Sequence, residues 1–116
     1  MSAPESDGPA ALETRVEEVV NALIAYEPDK IILFGSAARG DGDEQSDIDL
    51  LIVKETETRF VRRAIEADSY LPLDISVDLF IYTPEEMERM IDEENPFIEQ
   101  ALRDGKVVYE KAPGDG

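Results

Sequence analysis

The sequence of 116 residues contains no cysteine and no histidine. These two absences exclude disulfide bonds, thiolate nucleophiles, imidazole bases and zinc sites of the usual Cys/His composition. Any catalysis by this chain must therefore use carboxylates, hydroxyls, basic side chains or a bound metal ion.

Basic residues are also scarce. Eleven Lys and Arg stand against 28 Asp and Glu, which gives a formal net charge of −17. A field of this sign repels the phosphate backbone of DNA and RNA. We therefore expect no direct nucleic-acid partner.

Long apolar runs and a secretion signal are absent as well. No segment approaches the roughly 20 apolar residues that a membrane span needs, and residues 1–9 have neither the basic start nor the apolar centre of a signal peptide. We therefore expect a cytoplasmic protein with no membrane partner.

Small and polar residues at both ends predict two short tails around one domain. Residues 1–9 and 112–116 are rich in proline, glycine and polar side chains, which is typical of flexible tails. Residues 10–111 are then long enough for a single buried core but not for two. We see no internal repeat and no second domain.

The spacing of apolar residues between the tails predicts alternating helices and strands. Recurrence at three and four positions indicates helices, whereas alternation or a short continuous apolar run indicates strands. Helices are expected over residues 10–26, 59–71, 84–94 and 96–103, and strands over residues 31–34, 47–53, 75–82 and 107–109. The pattern predicts an α/β fold with a mixed sheet of three to four strands flanked by helices.

A glycine and a serine follow the first predicted strand directly. Gly35 lets the backbone approach a ligand closely, and the N–H groups of a helix that starts at Ser36 can cradle phosphate oxygens. Ser36 can also offer its hydroxyl, and Arg39, one turn later, can offer its guanidinium fork. Gly35, Ser36 and Arg39 therefore predict half of a nucleotide site.

Acidic residues on the next two predicted strands supply the other half. Asp47 and Asp49 are two residues apart on a strand, so they point to the same side and can share Mg²⁺. A second metal ion would clamp the attacking and leaving oxygens. Asp78 interrupts an apolar alternation in the third strand and could hold that ion or act as a base. Asp74, four residues earlier, is the alternative for this role.

Each of these features has an ordinary explanation when it is taken alone. An Asp-x-Asp pair is commonly a solvated strand edge, a Gly-Ser pair a turn, and an isolated arginine a surface ion pair. Seven specified positions at about one in twenty each, however, arise by chance on the order of once in 10⁹ placements. We therefore interpret them as one site.

The motif Gly35-Ser36-x-x-Arg39-Gly40, followed by Ser46-Asp47-Ile48-Asp49-Leu50 and then Val77-Asp78-Leu79, resembles that of the minimal nucleotidyltransferase family in the DNA polymerase β-like superfamily. The resemblance covers roughly residues 30–110. It implies Mg²⁺-dependent transfer of a nucleoside monophosphate, usually AMP from ATP, with release of pyrophosphate. By matching positions, Gly35 and Ser36 would bind the triphosphate, Asp47 and Asp49 would bind magnesium, and Asp78 would complete an acid triad. Arg39 also matches the motif.

The resemblance further implies a partner. Small members of this family are often encoded beside a HEPN-domain ribonuclease, and some act as its antitoxin by adenylylating a tyrosine of the toxin. Two other functions stay open. The charge of −17 also suits a non-catalytic module that neutralises a basic partner by occlusion. Transfer to an antibiotic or another small molecule is the third possibility, although enzymes of that kind usually carry an added helical domain.

Overall fold

The computed structural model describes residues 9–35, 38, 48–72 and 75–111. In these residues four longer helices surround a sheet of four strands, which confirms the predicted α/β architecture. Their bounds are α1 Pro9–Ile24, β1 Lys30–Phe34, β2 Ile48–Val53, α2 Phe60–Asp68, β3 Val77–Tyr82, α3 Pro84–Asp92, α4 Pro96–Asp104 and β4 Lys106–Glu110. None of the helices in this described part is both long and apolar enough to cross a membrane.

The order of the strands in the sheet is β3-β2-β1-β4. Strand β1 is antiparallel to both β2 and β4, whereas β2 and β3 are parallel. A parallel pair needs a crossover connection, and α2 supplies it between β2 and β3. The sheet is therefore mixed, as predicted, and β3 and β4 are its edges.

The two faces of the sheet pack into separate cores. Alternate residues of β1 and β2, including Leu33 and Leu50, pack with α1 on one face. On the other face, Ile32 and Leu51 pack with α3 and α4. Because both faces are covered, β2 is apolar along nearly its whole length, and Asp49 is its one polar residue.

Most element boundaries agree with the predicted ones to within two residues. The prediction for α2 was wrong at its end, because the helix stops at Asp68 and not at Leu71. The N–H groups of residues 69–71 each bond to the carbonyl three residues earlier, at 3.0–3.3 Å. The chain thus tightens before Pro72, which disfavours helical geometry in the residue that precedes it.

Strand β3 begins at Val77, two residues later than predicted. Val77 pairs with Ile48, the first described residue of β2. The predicted tails 1–9 and 112–116 lie outside the described residues except for Pro9, which begins α1. The division into one domain and two tails stays a prediction.

One arginine is buried where α2, β3 and α3 meet. Arg63 is only 6% exposed, and its guanidinium donates to both carboxylate oxygens of Glu86, at 2.7 and 3.2 Å. It also donates to the carbonyls of Thr58 and Ile81, at 2.8 and 3.2 Å. Glu86 also caps the start of α3, since its carboxylate accepts the N–H of Thr83 while the Thr83 hydroxyl accepts the N–H of Glu86. This cluster holds α2 against β3.

We expect Glu86→Gln to lower the free energy of unfolding by about 1–3 kcal/mol, because Arg63 keeps a buried charge and loses its charged partner. The hydrogen bond from Arg63 lowers the pKa of Glu86 from its usual 4.5. The stabilisation by this pair is therefore complete above about pH 4.5 and is lost as the pH falls through the lower pKa of the folded state.

Urea denaturation of the parent and the variant, from neutral to acid pH, measures this effect. The difference between their unfolding free energies should shrink toward acid pH. Glu85→Gln is the matched control, because Glu85 is exposed and lies in the same first turn of α3. The role of the ion pair would be contradicted if Glu85→Gln lowered the free energy of unfolding as much as Glu86→Gln does. It would also be contradicted if the effect of Glu86→Gln did not change with pH.

Candidate active site

Three neighbouring strands each bring one side chain to the same end of the sheet. Phe34 is the register partner of Asp49, and Asp49 is the register partner of Asp78. Paired side chains point to the same face, and Phe34 lies on the face that packs with α3 and α4. Asp49 and Asp78 therefore lie side by side on that face, although α2 separates them in the sequence.

Gly35 places the backbone at the end of β1 against Asp49. Its φ of +80° lies in the left-handed region that favours glycine. A Cβ at this position would lie 2.4 Å from Oδ2 of Asp49 and 3.4 Å from its Cγ. Only a hydrogen fits there, so the Asp49 carboxylate packs directly against the Gly35 backbone. The N–H of Ala38 donates to the Gly35 carbonyl at 3.1 Å, so the chain turns at this point.

The two acids have different surroundings. Asp49 is half-buried in the inner strand β2, whereas Asp78 is exposed on the edge strand β3. An inner carboxylate is held in place by the strands on both sides, which suits the binding of a cation. An exposed carboxylate at the edge can be reached by a group that arrives from solvent.

The other predicted site residues lie outside the described residues. They are Ser36, Arg39 and Asp47, together with Asp74, the alternative to Asp78. Within the described ranges no group of three or more Asp, Glu, His or Cys could hold a metal ion. The structure brings together Gly35, Asp49 and Asp78, and we name these three residues the row. The roles of all the predicted residues stay predictions.

A cavity lies on each side of this row. Beside Gly35, a recess of about 210 Å³ lies between the end of β1 and α4, and its lining includes Phe34, Phe97 and Gln100. Beside Asp78, a groove of about 380 Å³ lies between α2 and β3, and we name it the α2–β3 groove. The row thus has open space next to its glycine and next to its edge acid.

Three phenylalanines form an aromatic cluster on the face of the sheet that carries Asp49 and Asp78. The rings of Phe34, Phe80 and Phe97 lie 5.2–5.7 Å apart, centroid to centroid, in tilted and edge-to-face arrangements that are favourable for aromatic rings. This cluster was not predicted from the sequence. The sequence positions of Phe34 and Phe80 could have indicated a place near the site, because each lies one or two residues from a predicted site residue on a strand. Nothing in the sequence indicates such a place for Phe97, at the start of α4.

Comparisons with known proteins identify a family for this chain. Residues 17–113 match the family model described as polymerase beta, nucleotidyltransferase. Two proteins of Methanocaldococcus jannaschii, each named "putative protein adenylyltransferase", are similar in sequence. One is 41% identical over 78 residues, which cover 64% of this chain and 79% of the relative. The other is 35% identical over 102 residues, which cover 84% of this chain and 97% of the relative.

The fold also has a counterpart among solved structures. A crystal structure described as a putative nucleotidyltransferase from Sulfolobus solfataricus superposes with a TM-score of 0.57 at 22% identity, over 98% of this chain and 96% of that one. At this identity the likeness concerns the fold alone. The family match over residues 17–113, and the relative that is similar along 97% of its own length, show that the chain belongs to the polymerase beta nucleotidyltransferase family.

Proposed function

We propose that the protein transfers AMP from ATP to a hydroxyl group of a partner protein. The observation that carries the proposal is the row of Gly35, Asp49 and Asp78, because it combines a close backbone approach with two carboxylates on one face. Membership of the family supports a nucleotide as the donor. The names of the two M. jannaschii relatives support a protein as the acceptor.

In this proposal a magnesium-bound triphosphate would be held by Asp49 and Asp78 together with Asp47, which lies outside the described residues. Mg²⁺ prefers oxygen ligands such as carboxylates, and the two acids Asp49 and Asp78 are register partners on adjacent strands. Because Gly35 has no Cβ, the Asp49 carboxylate lies directly against the backbone at the end of β1. Asp47, two residues before Asp49, has the spacing of a third carboxylate on the same face. Two bound Mg²⁺ ions would neutralise the charge of the phosphates and orient them.

In this reaction the acceptor hydroxyl attacks the α-phosphorus of ATP. A new phosphorus–oxygen bond forms, the bond from the α-phosphorus to the β-phosphate oxygen breaks, and pyrophosphate leaves. The proton of the hydroxyl passes to Asp78, whose carboxylate is accessible at the sheet edge. Backbone N–H groups after Gly35, with Ser36 and Arg39, would bind the phosphates. Positioning and electrostatic stabilisation account for most of the catalysis.

The resemblance of the motif extends this proposal to the partner. We propose a HEPN-domain ribonuclease encoded beside this chain as the acceptor, with a tyrosine as the modified residue, so that the protein acts as a cytoplasmic antitoxin. The net charge of −17 supports a partner with a basic surface.

Labelled ATP tests the transfer directly. With Mg²⁺ and the purified HEPN-domain protein, ATP labelled at the α-phosphate should label that protein, whereas ATP labelled at the γ-phosphate should not. Mass spectrometry should place AMP on a tyrosine. Asp78→Asn should lower the rate by about 10²–10⁴-fold, and Asp92→Asn, at an exposed acid that ends α3, should leave it unchanged.

Two other outcomes would change the conclusion. Labelling that persists at the parental rate in Asp78→Asn would remove Asp78 from the mechanism. A HEPN-domain protein that carries no label, and whose ribonuclease activity is nevertheless inhibited, would replace transfer by the non-catalytic alternative of occlusion.

A further inference from the structure

Within the part of the chain that the structure describes, strand β3 pairs with another strand on one side only. The carbonyls of Ser76 and Tyr82 accept the N–H groups of Ile48 and Lys54, at 3.5 and 3.0 Å, on the side of β2. Even-numbered residues therefore direct their backbone groups toward β2. Because the direction alternates along a strand, the residues that direct their backbone groups to the open edge are Val77, Leu79 and Ile81.

Part of this edge is closed by α2. The Arg63 guanidinium donates to the Ile81 carbonyl at 3.2 Å, at the end of β3 that is distant from the row. At Val77 and Leu79 no strand of the described chain lies against the edge. The open part of the edge therefore flanks Asp78, which lies between these two residues.

Helix α2 presents apolar side chains beside the open edge. Val61 and Ile65 lie one turn apart on the same helix face, and each is 72% exposed. Ile65, Ala64 and Asp68 line the α2–β3 groove opposite residues 77–80. Proteins usually protect an open strand edge with charges or a cover, so exposed aliphatic residues at this place indicate a surface that a partner covers.

Basic and acidic residues lie at opposite ends of the groove. Arg59 and Arg62 are exposed at the start of α2, near the end of β3, where Phe60 stacks on Tyr82 at 5.4 Å. Acidic residues stand at the opposite end, where Asp68 and Asp78 line the groove. A segment with an acidic residue at one end and a basic residue at the other complements this arrangement.

We propose that the α2–β3 groove binds an extended segment of the acceptor protein, which adds to the edge of β3 and brings its hydroxyl beside Asp78. This inference rests on the proposed function, since it concerns the acceptor of that reaction. A segment added to a sheet edge lies about 4.8 Å from the edge strand, and its side chain opposite Asp78 points to the same face. Backbone bonds to Val77 and Leu79 give affinity, and contacts with Val61 and Ile65 give selectivity.

A second copy of this chain fits the groove less well than a foreign segment does. Each copy carries a net charge of −17, so pairing two of them brings like charges together. Pairing of two β3 edges would also cover Asp78 in both copies and exclude the acceptor from it. The groove is therefore assigned to the acceptor protein.

The variant Ile65→Glu tests the groove with the purified HEPN-domain protein and ATP labelled at the α-phosphate. We expect the KM for the HEPN-domain protein to rise about tenfold or more, with kcat and the binding of Mg²⁺-ATP unchanged, because Ile65 lies outside the row. Ile91→Glu is the matched control, since Ile91 is 47% exposed on α3. In hydrogen exchange, the amides of Val77 and Leu79 should become protected when the HEPN-domain protein is added.

The outcomes separate this inference from the proposed function. If AMP is transferred but Ile65→Glu keeps the parental KM and the two amides stay unprotected, the groove assignment is wrong and the transfer stands. If no AMP is transferred but the two amides become protected, the transfer is wrong and the groove stands. Protection that depends on the concentration of this chain alone would overturn the assignment in favour of a second copy. If no AMP is transferred and the two amides also stay unprotected, both the proposed function and the groove assignment are wrong.

Discussion

Asp49→Asn is expected to lower the rate of AMP transfer by about 10²–10³-fold and to leave the fold intact. Asparagine has nearly the shape of aspartate, so it keeps the contact with the Gly35 backbone. It removes one negative charge from the inner position of the row, where a cation on the triphosphate would be held.

Two measurements check this expectation together. Single-turnover transfer from labelled ATP gives the loss of activity, and thermal unfolding with and without Mg²⁺-ATP gives the loss of ligand binding, since a ligand raises the unfolding temperature of the state it binds. The parent should be stabilised by Mg²⁺-ATP and Asp49→Asn much less. Parental activity in Asp49→Asn would show that this carboxylate holds no catalytic metal, and Asp92→Asn is the control for the loss of one acid.

Gly35→Ala is expected to lower the transfer rate by at least about hundredfold, although it adds only one methyl group. A φ of +80° costs alanine about 1–2 kcal/mol. Its Cβ would lie 2.4 Å from Oδ2 of Asp49, so the carboxylate or the backbone must move. A displacement of about 1 Å at a reacting centre is enough for a hundredfold loss.

Gly105→Ala is the matched comparison for this prediction. A Cβ at Gly105 would lie 2.4 Å from the Ala101 carbonyl oxygen and 2.7 Å from Cγ2 of Ile32, with no acid among its nearest atoms. The φ of Gly105 is −85°, which alanine adopts readily. Gly105→Ala should therefore lower stability while the folded protein keeps its activity. Equal losses of activity in both variants, at equal losses of stability, would show that Gly35 acts only through the fold.

Local patterns in the sequence were sufficient for the elements that depend on local physics. A short continuous apolar run predicted β1, and the alternation of side chains along a strand predicted β2 and β3. The two-residue spacing of Asp47 and Asp49 pointed to Asp49, and the interruption of an apolar alternation by one acid pointed to Asp78. A charge in a strand that is covered on both faces requires a reason, and a site supplies one.

Features that depend on the order and register of strands could not be predicted in this way. Alternation gives the face of a side chain along its own strand, but it does not say that β2 lies between β1 and β3 or that Asp49 pairs with Asp78. Arg63 has the sequence environment of a surface residue on a helix, and its burial follows only from the meeting of three elements. The α2–β3 groove was missed for the same reason, since its two walls come from separate elements.

The parallel pairing of β2 with β3 also determines when the row can exist. Gly35 and Asp49 belong to strands that pair with each other directly, whereas Asp78 follows the crossover through α2. Contacts between segments that are distant in sequence require the closure of a longer loop. A chain that is still being synthesised therefore cannot hold the complete row before β3 has left the ribosome and docked on β2. Only chains in which β3 has already joined the sheet can then carry out chemistry at this site.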